Sequence, residues 1–272
     1  MSRHLSLLTL SEISSASLSN IRLIATDMDG TLTRGGKFTP ALLQALEDLA
    51  AADIKVLIVT GRSAGWVSGL SAIMPVAGAM PTAGYAYAEN GGLYFPPGNQ
   101  KPVILTPIPD LAQHRQHLAT TFENLQTKFP QIQESTDNRF RLTDWTFDVA
   151  GLRQDELQTL DNLCQQMGWG FTYSNVQCHI KPQGQDKAVG LLQVLREYLP
   201  QYSPEQIVTV GDSPNDESLF DRRYFPVSVG VANVLEYVNQ LKYQPAYITT
   251  AAEGEGFCEL SSYILQSLHI SS

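Results

Sequence analysis

One short segment indicates the architecture of the whole chain: Ile21-Arg22-Leu23-Ile24-Ala25-Thr26-Asp27-Met28-Asp29-Gly30-Thr31-Leu32. Its first six residues are mostly apolar and predict a buried strand, which ends abruptly in a loop carrying two aspartates and a glycine. Thr39-Pro40 then predicts the start of a helix, and a second apolar run covers residues 54–59. A strand, a helix and a strand in this order predict a βαβ unit with parallel strands.

The C-terminal third repeats this pattern. Lys187 opens an apolar-periodic helix, and residues 206–210 predict a strand that runs into Gly211-Asp212-Ser213-Pro214-Asn215-Asp216. Between the two halves, residues from about 94 to 181 contain short β-like runs and two polar helix candidates, which is typical of an α+β module.

The predicted fold class is therefore α/β, with a Rossmann-like parallel-sheet core and an inserted α+β domain. The expected divisions are an N-terminal extension over 1–20, the core over 21–88 and 182–272, and the inserted domain over 89–181. The serine-rich extension is expected to be poorly ordered or to lie on the surface.

Polar loops follow three of the predicted strands, at Asp27–Asp29, Thr60–Arg62 and Asp212–Asp216. Because the carboxyl ends of parallel strands lie along one edge of a sheet, we expect these loops to meet there. Four carboxylates at one edge repel each other unless a cation lies among them, and hard oxygen ligands suit Mg²⁺. With the charge of Lys187 and the hydroxyl of Thr60 added, such a site suits a phosphoryl group.

The paired aspartates predict a two-step reaction. Asp27, at the tip of its strand, is positioned to attack phosphorus in line and form an aspartyl-phosphate. Asp29, two residues on, is positioned to protonate the leaving oxygen and later to deprotonate the hydrolytic water.

These motifs, in this order, resemble those of the haloacid dehalogenase (HAD) superfamily of phosphatases. The motifs are Asp27-Met28-Asp29-Gly30-Thr31-Leu32, Thr60-Gly61-Arg62, Lys187 and Gly211-Asp212-Ser213-Pro214-Asn215-Asp216. An insertion between the second and third motifs resembles the type II, Cof-like arrangement with a C2B cap. Glu89-Asn90-Gly91-Gly92 is similar to the sequence with which that subfamily enters its cap.

The resemblance implies a role for each motif residue. Asp27 is the implied nucleophile, Asp29 the implied general acid and base, and Lys187 supports the chemistry. The implied Mg²⁺ ligands are the Asp27 side chain, the Asp29 backbone carbonyl, Asp212 and, directly or through water, Asp216. The implied phosphate-binding residues are Thr60, Gly61, Lys187 and Asn215. Lys181 is a competitor for the role of Lys187, although Pro182 and Gly184 argue against it opening a helix.

Residues that contact the rest of the substrate are harder to predict from sequence. The candidates are Arg62, Asn90, Arg139, Arg141 and His179. For the cap candidates a solvated strand face is the alternative interpretation, and Arg62 has the alternative of a surface charge at a helix start.

Composition limits the function classes. The chain is 43% apolar and 17% charged with a net charge of −9, which argues against nucleic-acid and membrane-surface partners. Three scattered cysteines and the absence of a long apolar run predict a reducing, cytoplasmic location.

We therefore expect a Mg²⁺-dependent phosphomonoesterase acting on a small phosphorylated metabolite, such as a sugar phosphate or a phosphoglycerate-type ester. Two alternatives remain open from sequence. One is a phosphomutase or phosphotransferase that uses the same aspartyl-phosphate, and the other is a non-catalytic sensor of a phosphorylated ligand.

Overall fold

The computed structural model describes residues 7–73, 86–96 and 101–270. Twelve strands lie in these ranges: β1 Leu8–Thr9, β2 Leu23–Thr26, β3 Lys55–Val59, β4 Ala86–Ala88, β5 Leu93–Phe95, β6 Val103–Ile104, β7 Trp145–Asp148, β8 Trp169–Tyr173, β9 Gln177–Pro182, β10 Ile207–Gly211, β11 Val227–Gly230 and β12 Tyr247–Ile248. The same ranges contain seven α-helices: α1 Ser15–Ser19, α2 Pro40–Ala51, α3 Ala64–Ile73, α4 Leu111–Lys128, α5 Gln154–Gln166, α6 Lys187–Tyr198 and α7 Glu253–Ile270.

Nine of these strands form one sheet in the order β1-β12-β11-β10-β2-β3-β4-β5-β6. Every pairing from β1 across to β4 is parallel, whereas β5 and β6 extend the far edge by antiparallel pairing. Helices cover both faces of the sheet, as an all-parallel arrangement requires. The predicted α/β class with a parallel core sheet is confirmed.

Side chains of the central strands alternate between two apolar layers. Leu23 and Ala25 pack with the buried face of α6, while Ile24 packs with α2 and α7 on the opposite face. Burial on both faces explains why the sequence of these strands is almost continuously apolar. The predicted helix start is also present, because the Thr39 side chain accepts the backbone N–H of Leu42 and Pro40 is the first helical residue.

The three strands that precede the polar loops lie side by side. β2 is paired with β3 and with β10, and Thr26 is in register with both Ile58 and Val210. Asp27, Thr60 and Asp212 therefore emerge at the same edge of the sheet.

A second, smaller sheet of three antiparallel strands has the order β7-β9-β8. Helices α4 and α5 pack on it through buried apolar side chains, among them Leu118, Phe122, Leu157 and Leu160, against Phe147. This is the inserted α+β module that the sequence predicts. Within the described part of the chain, no helix combines the length and apolarity needed to cross a membrane.

The core sheet extends further along the chain than expected. The sequence predicts a first core segment over 21–88. In the structure, β5 and β6 pair next to β4 in the large sheet, and Leu93 and Tyr94 are fully buried there. The chain thus leaves the large sheet after Ile104, so the insertion begins later than residue 89. Short β-like runs do not reveal which sheet they will join, because strand pairing is a non-local choice.

The segment placed in an N-terminal extension also contributes to the core, as far as the structure describes it. β1 pairs with β12, α1 packs against α7, and Leu10, Ile13 and Leu18 are buried. The expectation of a surface-lying or poorly ordered segment is therefore corrected for residues 8–19, because these three apolar side chains lie under the closing helix.

Candidate active site

An ammonium group held between two carboxylates lies at the centre of the site. Lys187 is fully buried, and its Nζ donates to Asp27 Oδ1 at 2.5 Å and to Asp216 Oδ1 at 2.6 Å. Asp186 caps α6 by accepting the backbone N–H of Val189, which makes Lys187 the first residue of that helix. The tip of β2 and the start of α6 are thereby joined. The competitor Lys181 lies in β9 instead, and the lysine of this cluster is Lys187.

Asp212 follows β10 and is held by two neutral donors. Its Oδ1 accepts the Thr31 hydroxyl at 3.0 Å, and its Oδ2 accepts the Asn233 side-chain amide at 2.8 Å. Gly30, with φ +82°, passes so close that a Cβ there would lie 2.5 Å from Asp212 Oδ2. The loop after β2 therefore requires glycine at this position.

Asp216 shapes the loop in which it lies. Its Oδ2 accepts the backbone N–H groups of Asp212 at 2.9 Å and of Ser213 at 3.1 Å, while its Oδ1 accepts from Lys187. Both oxygens are thus used to hold the loop and the lysine, as expected of a supporting residue.

The cluster carries more buried negative charge than Lys187 neutralises. Carboxylate oxygens of Asp27, Asp212 and Asp216 lie within 4.8 Å of one another, and all three residues are buried. Burial raises the pKa of Asp27 to about 7, with Lys187 opposing the shift and Asp216 and Asp29 adding to it. Burial, followed by the charges of Asp27 and Asp216, also holds the pKa of Asp212 well above its usual range.

These residues fit a divalent cation. Three buried carboxylates beside a single ammonium group retain excess negative charge, and their oxygens are the ligands that Mg²⁺ prefers. Asp27, Asp212 and Asp216 would hold the ion. The Asp29 carboxylate is not part of this group, so its assigned contribution remains the predicted backbone carbonyl.

Asp29 forms a two-bond ion pair with Arg62. Arg62 Nε donates to Asp29 Oδ2 at 2.8 Å and Nη2 donates to Oδ1 at 2.7 Å. This hydrogen-bonded pairing raises the pKa of the Arg62 guanidinium. Arg62, given the alternative of a surface charge at a helix start, is thus largely buried and paired within the site. Thr60, buried beside it, accepts the Arg62 backbone N–H through its hydroxyl oxygen at 3.1 Å.

Asn90 and Asn215 meet beside the loop after β3. Asn215 Nδ2 donates to Asn90 Oδ1 at 3.1 Å, and Asn215 Oδ1 accepts the Ser213 hydroxyl at 2.8 Å. Asn90 has the left-handed conformation, with φ 51°, and its side chain lies against Gly61. Its buried Nδ2 has no hydrogen-bond partner among the described residues, so this amide is a donor left for an oxygen ligand.

The cap contributes a buried ionic group on the other side of Gly61. Arg141 is fully buried and pairs with Asp144 at 2.9 Å and Asp137 at 3.1 Å, and its Nη1 donates to the Gly61 carbonyl at 2.9 Å. Asp144 also accepts from His179 Nδ1 at 2.8 Å. Burial lowers the pKa of His179 although Asp144 opposes that shift. The solvated-face alternative is therefore wrong for Arg141 and His179.

A small cavity lies between cap and core above Asp27. Its lining residues are Asp27, Asp29, Gly61, Arg62, Ser174, Val176, Gln177, His179 and Asn215. The volume is about 10 Å³, room for a single water molecule. A phosphorylated substrate therefore needs the cap to move away before it can reach Asp27.

A family comparison decides the identity of the fold. The sequence model of the haloacid dehalogenase-like hydrolases matches residues 24–109 and 110–256. The chain belongs to this family. The resemblance drawn from the motifs is confirmed, and so is the expected enzyme class, a hydrolase.

Curated relatives of this hydrolase include phosphoglycolate phosphatases. The phosphoglycolate phosphatase 1 of Saccharolobus solfataricus is 26% identical over 249 residues, which cover 90% of this chain and 96% of the relative. That of Natronomonas pharaonis is 29% identical over 200 residues, covering 73% and 80% of the two chains.

Solved structures share the fold of this hydrolase at lower identity. A Thermoplasma acidophilum protein has a TM-score of 0.70 at 19% identity, covering 90% of this chain and 98% of its own. The sucrose-phosphatase of Synechocystis, solved with sucrose and phosphate, has a TM-score of 0.65 at 17% identity, covering 89% and 97%.

The candidate residues of this hydrolase divide into those gathered at the cavity and those left outside it. Arg139 is exposed and its guanidinium lies 4.6 Å from the centre of the Phe140 ring, outside the cavity lining. The exposure agrees with the alternative of a solvated residue, but Arg139 lies in a 3-10 turn, Asn138–Phe140, and not on a strand face. Arg141 does not line the cavity either, but it contacts two residues that do. It donates to the Gly61 carbonyl directly, and it is linked to His179 through Asp144.

Several residues that build the site could not be predicted from the sequence. Asp144, which holds both Arg141 and His179, carries no local signal, and neither does the cavity residue Gln177. Glu89 is buried and accepts the backbone N–H groups of Ala64 and Thr143, at 3.0 and 2.6 Å, so it ties the cap entry to α3 and to the cap. Its position just before Asn90 was the one signal available for it.

Proposed function

We propose that this hydrolase is a Mg²⁺-dependent phosphomonoesterase that acts on a small phosphorylated metabolite through an aspartyl-phosphate. The observation that carries the proposal is the position of Asp27, whose Oδ1 is 2.5 Å from Lys187 Nζ within a cluster of three buried carboxylates. A carboxylate becomes an effective nucleophile toward a phosphoryl group where nearby positive charge offsets the charge of the phosphate.

In the first step, an Asp27 carboxylate oxygen bonds to phosphorus while the bond from phosphorus to the ester oxygen breaks. Asp29 gives its proton to the departing alkoxide, which leaves as an alcohol. Lys187 and the Thr60 hydroxyl stabilise charge on the transferring group, together with the backbone at Gly61 and the side chain of Asn215. When bound, Mg²⁺ supplies further neutralisation of the phosphate and of Asp27.

In the second step, water attacks phosphorus and the bond from phosphorus to Asp27 breaks. Asp29, now ionised, accepts the proton of the attacking water, and free phosphate leaves with the Asp27 carboxylate restored. Arg62 holds the ionised Asp29 carboxylate for this second step through its two hydrogen bonds. The segment between β6 and α6 acts as a cap that opens for substrate and closes for the reaction.

The expected substrates are small phosphoesters, either sugar phosphates or phosphoglycerate-type esters. The names of the curated relatives, phosphoglycolate phosphatases, favour an ester of a short organic acid.

The test is phosphate release from a panel of phosphorylated metabolites by wild type and Asp27→Asn. We expect Asp27→Asn to lower turnover at least about 10⁴-fold, since the nucleophile is lost. Asp53→Asn is the control, because Asp53 is exposed and, among the residues that the structure describes, its ion pair is with Lys55. Acid quenching with a ³²P-labelled ester should leave label on wild type and none on Asp27→Asn.

Retained turnover in Asp27→Asn would contradict the mechanism. Formation of an isomer or a transferred phosphoester without free phosphate would favour a mutase or phosphotransferase. Ligand binding without any turnover would favour the sensor.

A further inference from the structure

Arg62 has hydrogen-bonding capacity that its ion pair does not use. The guanidinium carries five N–H groups, and the pair with Asp29 uses one on Nε and one on Nη2. Nη1 donates to none of the described residues. The side chain is 27% exposed, and its guanidinium carbon lies 5.5 Å from the centre of the Trp66 ring, which helps to fix the plane of the group.

Among the residues that line the cavity, Arg62 is the one that carries a permanent positive charge. His179 also lines it, but burial lowers the pKa of that imidazole, which favours its neutral form. The nearby Lys187 and Arg141 are each already paired with two aspartates. A group on the leaving half of the substrate therefore meets one arginine with free donors.

An arginine shared by two carboxylates already occurs in this chain. Arg141 uses Nη1 for Asp144 and Nη2 for Asp137, so one guanidinium bridges two acids there. Arg62 holds its first carboxylate, that of Asp29, through Nε and Nη2, which leaves the Nη1 side for a second. Because Asp29 has to contact the ester oxygen and Arg62 is bonded directly to Asp29, a carboxylate bound at Nη1 lies only a few bonds from that oxygen, as it does in an ester of a short hydroxy acid.

We infer that Arg62 binds a carboxylate on the leaving-group half of the substrate, so that the enzyme selects phosphoesters of short hydroxy acids over those of sugars and neutral alcohols. This inference rests on the proposed phosphomonoesterase function and names the substrate class for the same site. Arg62 then has two roles: it positions Asp29, and it recognises the substrate.

Kinetics on two matched esters test the inference. Phosphoglycolate and hydroxyethyl phosphate differ by a carboxylate in place of a neutral hydroxymethyl group, and glucose 6-phosphate serves as the sugar ester. We expect wild type to prefer phosphoglycolate over hydroxyethyl phosphate about 100-fold in kcat/KM, since a charged hydrogen-bonding site discriminates strongly against a ligand without the matching group.

In Arg62→Gln the rates on both esters should fall, because Asp29 is no longer held in position. The preference should fall to within about threefold of unity, because phosphoglycolate also loses the partner of its carboxylate. Arg62→Lys should keep part of the preference, because it keeps the charge but not the planar fork. Arg153→Gln is the control and should leave both rates unchanged, since Arg153 is an exposed cap arginine whose ion pairs within the described part of the chain are with Asp155 and Glu156. Circular dichroism and the midpoint of urea unfolding, compared with wild type, show whether Arg62→Gln is folded.

Two results would overturn the inference. One is wild type that prefers hydroxyethyl phosphate or glucose 6-phosphate. The other is Arg62→Gln that slows both matched esters equally, which would limit Arg62 to positioning Asp29. Failure of wild type to hydrolyse any ester would instead count against the proposed function itself.

Discussion

Among single residues, Asp27 and Asp216 share the ammonium of Lys187, and Asp212 lies in the same buried cluster. Ionised carboxylates are hard to bury, and the pKa of Asp27 near 7 expresses how unfavourable its charged form is there. A proton and a divalent cation each relieve the same excess charge. The two should therefore compete, and their competition should be visible in the stability of the protein.

We expect the stability of the metal-free protein to fall as the pH rises from about 5 to about 8. Asp27 has an ordinary pKa of 3.8 and a folded pKa of about 7. Between these values the folded state binds a proton that the unfolded state has lost, so this stabilising contribution is complete below 3.8 and disappears as the pH passes about 7. Mg²⁺ should accordingly raise Tm by several degrees near pH 8 and much less near pH 5.

Thermal unfolding followed by circular dichroism, with EDTA or with excess MgCl₂, measures both effects. Asp212→Asn is the informative control, because it removes one carboxylate and should abolish most of the shift in Tm caused by Mg²⁺. An equal Mg²⁺ effect in this variant and in wild type would show that the ion binds elsewhere.

Among the elements, those set by local signals could be predicted and those set by pairing could not. The apolar runs of β2, β3 and β10 and the cap of α2 are local, and they were sufficient to gather Asp27, Thr60 and Asp212 at one sheet edge. β5 and β6 were assigned to the wrong domain because their sheet is chosen by distant partners. Buried polar contacts such as Asp144 with His179 depend on tertiary packing and leave no periodic trace.

The N-terminal elements allow a prediction about the free energy of unfolding. Leu18, on α1, is 5% exposed and belongs to the core beneath α7, whereas Leu8, on the edge strand β1, is 36% exposed. We expect Leu18→Ala to lower the free energy of unfolding by about 2–4 kcal/mol, and Leu8→Ala to change it by less than about 0.5 kcal/mol. Urea unfolding followed by tryptophan fluorescence measures both. Similar small effects would mean that α1 adds little to the core.

In the whole molecule, the cap and core are joined next to the chemistry. Arg141 donates to the Gly61 carbonyl from the cap, and Glu89 accepts backbone N–H groups from α3 and from the cap at Thr143. Since the cavity above Asp27 holds little more than a water molecule, opening of the cap must break contacts of this kind. Substrate entry and the stability of the interface are thus set by the same buried groups.

Variants of Arg141 measure how much these buried groups between cap and core contribute to stability. Removing the guanidinium in Arg141→Met leaves the buried Asp144 with His179 as its one side-chain partner among the described residues, which should lower the free energy of unfolding by about 3–5 kcal/mol. If the loss comes from the stranded carboxylate, Arg141→Met combined with Asp144→Asn should be less destabilised than the sum of the single variants, by about 1–3 kcal/mol. Urea unfolding of the four proteins gives this coupling, with the exposed Arg153→Met as a control. Strict additivity would show that the pair with Asp144 is not the source of the loss, which would then lie in the other contacts of Arg141, with Asp137 and with the Gly61 carbonyl.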